Sequence, residues 1–206
     1  VESPLIDCGG TYKIDFEDFE KKVSQPNVKL FVLCSPHNPV GRVWTKEELE
    51  KISEICLKHD VFVIDDEIHF DLIMPGYKHV SIATLKPEYF NNCALCTAPS
   101  KTFNIAGLQV SNIFIPNDDR RKIFTDYIGM SRLNAIAYKA CELAYNNCEE
   151  WLSEVIKVID ANRQYVEDFM AEKLPEIKVY RLEGTYLLWF DCRALGLDKD
   201  ALETFM

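Results

Sequence analysis

The sequence lacks several features that would assign the chain to whole classes of protein. No apolar run approaches the roughly 20 residues that a membrane-spanning helix needs, and no secretory signal peptide opens the chain. Basic residues are in deficit, with 23 Lys and Arg against 33 Asp and Glu, so no basic stripe is available for nucleic acid. Internal repeats and low-complexity tracts are also missing. We therefore expect a cytoplasmic globular protein that binds neither membranes nor nucleic acid.

Cysteine is present, but its spacing assigns no metal or disulfide site. The eight cysteines are scattered, and several lie inside apolar runs, where they behave as small core residues. Cys93 and Cys96 form a C-x-x-C pair within a strand-like run, and no second Cys/His pair lies nearby. With 206 residues, 48% of them hydrophobic and 27% charged, the chain is long enough and apolar enough to bury a sizeable core.

Strand and helix patterns alternate in the first part of the chain. Continuous apolar runs, which are typical of strands buried on both faces of a parallel sheet, occur at residues 29–34, 61–64, 93–97 and 110–115. Apolar residues spaced by three and four predict helices at 14–23, 45–59 and 118–128, the second of which opens with the capping box Thr45 to Glu48. This alternation predicts an α/β fold with a parallel sheet.

The pattern changes in the second part of the chain. Long helical stretches are predicted from Asn134 to about Leu174, where Pro175 ends them, and two strands are predicted at 178–182 and 185–190. A last helix starts near Lys199. We therefore expect a larger α/β domain over residues 1–145 and the first part of a smaller α+β domain over residues 146–206.

Polar residues follow three of the predicted strands and suggest a cofactor. Asn38 follows the first strand, Asp66 ends the second and Lys101 follows the third. Ligands of open α/β sheets bind at this carboxyl edge. An amine, a carboxylate and an amide suit pyridoxal phosphate: the amine forms a Schiff base with the aldehyde, the carboxylate pairs with the pyridinium nitrogen, and the amide binds the ring hydroxyl. Taken singly, Lys101 also fits a solvated loop charge, Asp66 a loop cap and Asn38 an ordinary turn. Their shared order and spacing favour the cofactor site.

The residues around these positions resemble a known enzyme family. The motifs are Ser35-Pro-His-Asn-Pro-Val-Gly-Arg42, Asp66-Glu-Ile-His69 and Ala98-Pro-Ser-Lys-Thr-Phe-Asn-Ile-Ala-Gly107. They are similar to those of the fold-type I pyridoxal-phosphate enzymes of the aminotransferase superfamily, and more closely to the MalY/PatB type of cystathionine β-lyase. The resemblance covers nearly the whole chain. It implies an α/β fold with a mostly parallel sheet and flanking helices, followed by the start of a smaller α+β domain. The function it implies is that of a carbon–sulfur β-lyase acting on cystathionine or cysteine-type amino acids.

The resemblance also implies roles for single residues. Lys101 would form the Schiff base and then act as general acid and base at the substrate. Asp66 would hold the pyridine nitrogen and Asn38 the 3-hydroxyl. His69 stands where many aminotransferases place a tyrosine against the same hydroxyl, although a histidine there also fits an ordinary loop position. Ser100, beside the lysine, would bind the phosphate.

Two positions depart from the pattern of the broader superfamily. Ala98 stands where a serine often precedes the lysine by three residues, and Gln109 stands where an arginine often follows it by eight. Both of those residues would anchor the phosphate. Phosphate binding is therefore expected to rely on Ser100, with Thr97 as a further candidate.

The resemblance leaves alternatives open. An aminotransferase of the same fold would share Lys101 and Asp66, and a non-catalytic fragment or interaction module is the alternative from a different class. Members of the family begin before Val1 and continue past Met206, so the resemblance implies an internal fragment that lacks some cofactor and substrate ligands and is itself inactive. For the parent enzyme it implies a homodimer and a small amino-acid substrate.

Overall fold

The computed structural model of the chain describes residues 1–129 and 133–205. Strands in this part are β1 (Ile6–Asp7), β2 (Tyr12–Lys13), β3 (Leu30–Cys34), β4 (Phe62–Asp66), β5 (Cys93–Thr97), β6 (Asn112–Phe114), β7 (Lys178–Val179) and β8 (Phe190–Asp191). The α-helices are α1 (Phe16–Val23), α2 (Lys46–Lys58), α3 (Pro87–Asn91), α4 (Pro99–Thr102), α5 (Asp118–Ile128), α6 (Ala135–Asn147), α7 (Glu149–Lys173) and α8 (Lys199–Phe205). None of these helices combines the length and the apolar character that crossing a bilayer requires.

The central sheet is mostly parallel, which confirms the predicted fold class. Its strand order is β3-β4-β5-β6, and β4 runs parallel to both of its neighbours. The last strand, β6, runs antiparallel to β5 and so differs from an all-parallel sheet. The reason lies in the connection, residues 98–111, which forms the single turn of α4 and a 3₁₀ turn at Ala106–Leu108. A parallel return would need a crossover, usually a longer helix.

Helices α1 and α2 each begin at a residue whose side chain caps the helix. The side chain of Thr45 accepts a hydrogen bond from the backbone of Glu48, whose carboxylate accepts one from the backbone of Thr45, so the capping box is confirmed. Helix α1 starts two residues later than predicted because Asp15 is its N-cap and accepts from the Asp18 N–H at 3.0 Å. Both helices contribute to one hydrophobic core with the sheet. This core contains Phe19, Val23, Leu33, Trp44, Leu49, Ile52, Ile55, Cys56, Val61, Val63, Ile82, Tyr89 and Cys93.

Strand β3 is buried on one face, and the prediction of burial on both faces is wrong for it. Leu33 is 3% exposed and faces the core, whereas Leu30 and Val32 on the other face are 49% and 59% exposed. Because β3 is the first strand of the sheet order, it lies at the edge. Within the described residues, no element covers that face of the strand.

The predicted strand pair near the end of the chain is shorter than expected. Only β7 and β8 pair, over two residues each and antiparallel. The N–H groups of Glu183 and Gly184 both donate to the carbonyl of Gly41, at 2.9 and 3.0 Å, and the N–H of Thr185 donates to the carbonyl of Leu72 at 2.8 Å. A Cβ atom at position 184 would lie 2.9 Å from the side chain of Val43, so this approach requires glycine. The segment therefore docks on the loops that follow β3 and β4.

A buried arginine side chain holds this docked segment in place. The guanidinium of Arg42 donates to Glu183 Oε2 at 3.0 Å, to Glu48 Oε2 at 2.8 Å and to the carbonyl of Tyr12 at 2.6 Å. The same oxygen of Glu183 accepts the N–H of Val43 at 3.0 Å. Arg42 and Glu183 are 7% and 6% exposed, so little water reaches either charge. The ion pair thus joins positions that are 141 residues apart in sequence.

We expect Glu183→Ala to lower the free energy of unfolding by about 3 kcal/mol, because it leaves part of a buried guanidinium and the Val43 N–H without an acceptor. Glu48 still pairs with Arg42, so the loss lies near the lower end for a broken buried pair. Urea denaturation followed by circular dichroism measures the change.

The matched control is Asp126→Ala, which removes the exposed pair between Lys122 and Asp126, whose side chains are 74% and 65% exposed. We expect it to change the free energy of unfolding by about 0.5 kcal/mol or less. Equal losses in Glu183→Ala and Asp126→Ala would contradict the structural role assigned to the buried pair.

Candidate active site

The sheet register aligns the three segments that carry the predicted site. Cys34, Asp66 and Cys96 are Cα partners across β3, β4 and β5, and they lie at the carboxyl ends of these parallel strands. Asn38 follows Cys34 by four residues and Lys101 follows Cys96 by five. The turns with Asn38 and Lys101 therefore leave the same edge of the sheet, on either side of Asp66.

Strand alternation separates the two neighbouring aspartates of β4. Successive side chains of a strand point to opposite faces, so Asp66 shares a face with Cys34 and Cys96, and Asp65 points to the helix-covered core. Asp66 is partly exposed, and its Oδ1 accepts the N–H of Ile68 at 3.2 Å. Asp66 is thus the carboxylate of this pair that a ligand at the edge can reach.

Asp65 is a fully buried acid with a second buried acid, Glu67, nearby. It is 0% exposed, and within the described residues neither carboxyl oxygen has a hydrogen-bond partner of standard geometry. Burial raises the pKa of the Asp65 carboxyl well above its ordinary value, and the nearby Glu67 raises it further. Folding therefore makes the Asp65 carboxyl harder to ionise than it is in the unfolded chain.

His69 is a buried histidine that is influenced by the charges of both Lys101 and Asp66. Its ring is buried, 2% exposed, and packs edge-on against Tyr186 with ring centroids 5.5 Å apart. Burial lowers the pKa of His69, the positive charge of Lys101 lowers it further, and the negative charge of Asp66 opposes the shift. The neutral imidazole is thus favoured, and its Nδ1 atom has no hydrogen-bond partner among the described residues.

Lys101 lies on the single turn of α4 and borders a cavity of about 330 Å³. Residues from three further regions of the chain line this cavity: Leu72 after β4, Trp151 in α7 and Tyr186 after the docked segment. Ser100 lines it beside the lysine. The cavity gives the amine and the hydroxyl a common space for a ligand.

The remaining predicted positions are less closely joined to this group. Asn38 is exposed, and its backbone N–H donates to Cys34 Sγ at 3.3 Å. No hydrogen bond links the Asn38 side chain to the other predicted residues among those described. The hydroxyl of Thr97 accepts from Asn112 Nδ2 at 3.4 Å. The register therefore places Asp66 and the turns with Asn38 and Lys101 at one edge of the sheet, and the charges of Lys101 and Asp66 both act on His69.

Sequence reasoning missed polar pairs that lie behind the site. The hydroxyl of Thr102 donates to Asp71 Oδ2 at 2.8 Å, and Glu67 Oε2 lies 3.1 Å from His79 Nε2. Thr102 and Asp71 are 31 residues apart in sequence, and neither lies in a pattern that indicates a partner. The one feature of the sequence that could have indicated them is their closeness along the chain to candidate site residues: Thr102 follows Lys101, and Asp71 lies two residues after His69.

Comparisons with known proteins identify the family of the chain. The family model of aminotransferase class I and II matches residues 4–205. The chain is 44% identical to cystathionine beta-lyase PatB of Bacillus subtilis, over 100% of this chain and 54% of that protein. It is 33% identical to protein MalY of Escherichia coli, over 92% of this chain and 49% of that protein.

Solved structures give the same result. The crystal structure of cystalysin from Treponema denticola, which contains a pyridoxal 5'-phosphate cofactor, matches with a TM-score of 0.97 and 49% identity. The match covers 100% of this chain and 53% of cystalysin. The chain thus spans about half the length of the relatives it matches.

We expect Asp65→Asn to stabilise the protein by an amount that grows with pH. Because the pKa of Asp65 is raised in the folded state, the unfolded chain releases the proton at lower pH, near 4. The free energy of unfolding therefore falls as pH rises from about 4 towards the folded-state pKa, and the asparagine removes this loss. Urea denaturation between about pH 5 and 8 should show that the free energy of unfolding of the variant exceeds that of the unchanged protein by a margin that increases with pH.

Asp168→Asn, at an exposed position on α7, is the matched control and should show no such trend. A difference between Asp65→Asn and the unchanged protein that stays constant across this pH range would rule out a raised pKa at Asp65.

Proposed function

Because this chain belongs to the aminotransferase class I and II family, we propose that the complete protein is a pyridoxal-phosphate-dependent carbon–sulfur β-lyase. Its substrates would be cystathionine or cysteine-type amino acids, cleaved to a thiol, pyruvate and ammonia. The observation that carries the proposal is the sheet register, which aligns Cys34, Asp66 and Cys96 and so brings the Lys101 turn, with the cavity that it borders, to the same carboxyl edge as Asp66. The naming of PatB as a cystathionine beta-lyase supports the choice of reaction.

The residues present fit pyridoxal phosphate on structural grounds. The Nδ1 atom of His69 is buried without a partner among the described residues and is available to a ligand hydroxyl. Lys101 and Ser100 line one cavity and offer an amine and a hydroxyl to the aldehyde and the phosphate. When bound, pyridoxal phosphate supplies an electron sink for the negative charge that develops at the substrate α carbon.

Each of these side chains has a defined task in the proposed reaction. Lys101 Nζ would hold the cofactor, and as a free amine it would take a proton from the α carbon and give one to the leaving group at the β carbon. Asp66 pairs with the pyridine nitrogen and keeps it protonated. Asn38 and His69 bind the ring hydroxyl, and Ser100 binds the phosphate. The polarity of these groups matches the atoms assigned to them.

An aminotransferase is the nearest alternative because both reactions begin with proton removal at the α carbon. The same Lys101 and Asp66 would serve it. The products separate the two: a lyase releases pyruvate and ammonia without a second substrate, whereas an aminotransferase needs a 2-oxo acid to receive the amino group. A protein that captures no cofactor would instead favour a non-catalytic interaction module.

The organisation of the complete protein is also proposed. We propose a homodimer in the cytoplasm, with residues 1–145 in the larger cofactor-binding domain and 146–206 in the smaller one. The partner is a small amino-acid substrate. These statements depend on the relatives, of which the chain spans about half.

Lys101→Ala is the direct test of the proposed function. The complete protein is incubated with pyridoxal phosphate and reduced with borohydride, and the modified peptide is identified by mass spectrometry. We expect the label on Lys101, and we expect its loss in Lys101→Ala together with a fall in pyruvate release from cystathionine of about 10³-fold, because the residue moves the protons.

Lys78→Ala removes an exposed lysine outside the site and should keep both the label and the activity. Labelling of other lysines with Lys101 unmodified would refute the assignment of Lys101, and so would full activity in Lys101→Ala.

A further inference from the structure

A hydrogen bond behind the site ties down the turn that carries Lys101. Thr102 follows Lys101 in α4 and is 1% exposed, and its hydroxyl donates to Asp71 Oδ2 at 2.8 Å. Asp71 lies two residues after His69. The bond therefore joins the turn with the amine to the turn with the imidazole, which are brought together from separate strands.

The Asp71 end of this bond is itself well anchored. The N–H of Leu72 donates to the carbonyl of His69 at 2.9 Å, and the carbonyl of Leu72 accepts the N–H of Thr185 at 2.8 Å. Asp71 thus sits on a short loop that the docked segment holds in place. Burial raises the pKa of Asp71, while the hydrogen bond from Thr102 and the charge of His79 lower it.

The Lys101 end is otherwise held by backbone bonds, in which the N–H of Phe103 donates to the carbonyl of Pro99 at 2.9 Å and the N–H of Ile105 to the carbonyl of Ser100 at 3.1 Å. Helix α4 has four residues, and its N-cap, Ala98, makes no side-chain hydrogen bond. Phe103, the residue after the turn, packs against Tyr145 and Trp151 with ring centroids 5.3 and 6.0 Å away. These contacts limit the position of the turn, and the bond from Thr102 to Asp71 is the side-chain hydrogen bond that ties it to another segment.

We propose that Asp71, acting through Thr102, is a positioning residue for Lys101. It holds the α4 turn so that the amine faces His69 and Asp66 across the edge of the sheet. This inference rests on the proposed function, because the position of the Lys101 amine matters only if that amine reacts. A displacement of about 1 Å in a reacting group lowers rates by up to about 10²-fold, so one buried hydrogen bond is sufficient to matter.

A purely structural role is the competing explanation, because a buried hydroxyl needs an acceptor wherever it lies. The two explanations differ in which substitutions are expected to slow the reaction of Lys101 with the cofactor. Thr102→Ser and Asp71→Asn keep the donor and an acceptor oxygen, whereas Thr102→Val and Asp71→Ala remove them. Ser53→Ala is the control, since the buried Ser53 hydroxyl donates to the carbonyl of Leu49 at 2.8 Å within α2.

The experiment measures the rate at which Lys101 of the complete protein captures pyridoxal phosphate, stopped by borohydride at intervals, together with unfolding by urea. We expect Thr102→Val and Asp71→Ala to slow capture about tenfold. Thr102→Ser and Asp71→Asn should stay within about threefold of the unchanged protein. Ser53→Ala should lose stability without slowing capture.

A double variant, Thr102→Val with Asp71→Ala, should capture no more slowly than either single variant, because both remove the same bond. Additive slowing would overturn the inference. So would capture by Thr102→Val at the rate of Ser53→Ala, or slow capture by Asp71→Asn, which would point to the charge of Asp71 instead. If Thr102→Val does not fold, the capture rates of Asp71→Ala and Asp71→Asn are compared instead: slow capture in the first alone supports the inference, and equal rates overturn it.

The outcomes also separate this inference from the proposed function. If the unchanged protein captures no cofactor on Lys101, both are overturned. If the unchanged protein captures it and the variants at positions 71 and 102 behave like Ser53→Ala, the inference alone is overturned.

Discussion

The buried guanidinium of Arg42 fixes the relation between segments that are far apart in sequence. A charge removed from water needs close acceptors, and Arg42 finds them on Glu48 in α2, on Glu183 and on the carbonyl of Tyr12. Arg42 also ends the turn that contains Asn38, and Glu183 opens the segment that leads to Tyr186. One ion pair therefore positions two walls of the candidate site: the turn after β3 and the aromatic ring that packs on His69. The Thr185 N–H extends the same constraint to Leu72, and thus to the loop that holds Asp71.

The sheet adds a second constraint, which is the direction of each side chain. Asp65 and Asp66 are chemically identical neighbours, yet the alternation of β4 places them in opposite environments. Asp65 lies in the core without a partner of standard geometry, and burial raises its pKa. Asp66 lies at the open edge between Cys34 and Cys96. Position along the strand, and not residue type, therefore decides which carboxyl group is available to a ligand.

Local signals in the sequence predicted most of the elements that support the site. Apolar runs located β3, β4 and β5, and the capping box located the start of α2, because these patterns depend on neighbours within a few residues. The reversed direction of β6 and the docking of Glu183 on Gly41 were not predicted, since both depend on contacts between distant parts of the chain. For the site, the positions of Asp66 and Lys101 after predicted strands were enough to predict that both lie at one edge of the sheet. The same positions gave no information on the bond between Thr102 and Asp71. Exposure of β3 also escaped prediction, because a hydrophobic run reports that a surface is apolar and does not report what covers it.

The histidine at position 69 has physical consequences for how charge is distributed in the site. A neutral imidazole offers one donor and one acceptor, as a tyrosine hydroxyl does, so it can bind the same kind of group. Unlike tyrosine, it can also become a cation, and a second positive charge beside Lys101 would oppose the first. Burial and the charge of Lys101 both lower the pKa of His69, and they outweigh the opposite effect of Asp66. His69 thus has the hydrogen-bonding capacity of a neutral imidazole without adding a positive charge beside Lys101.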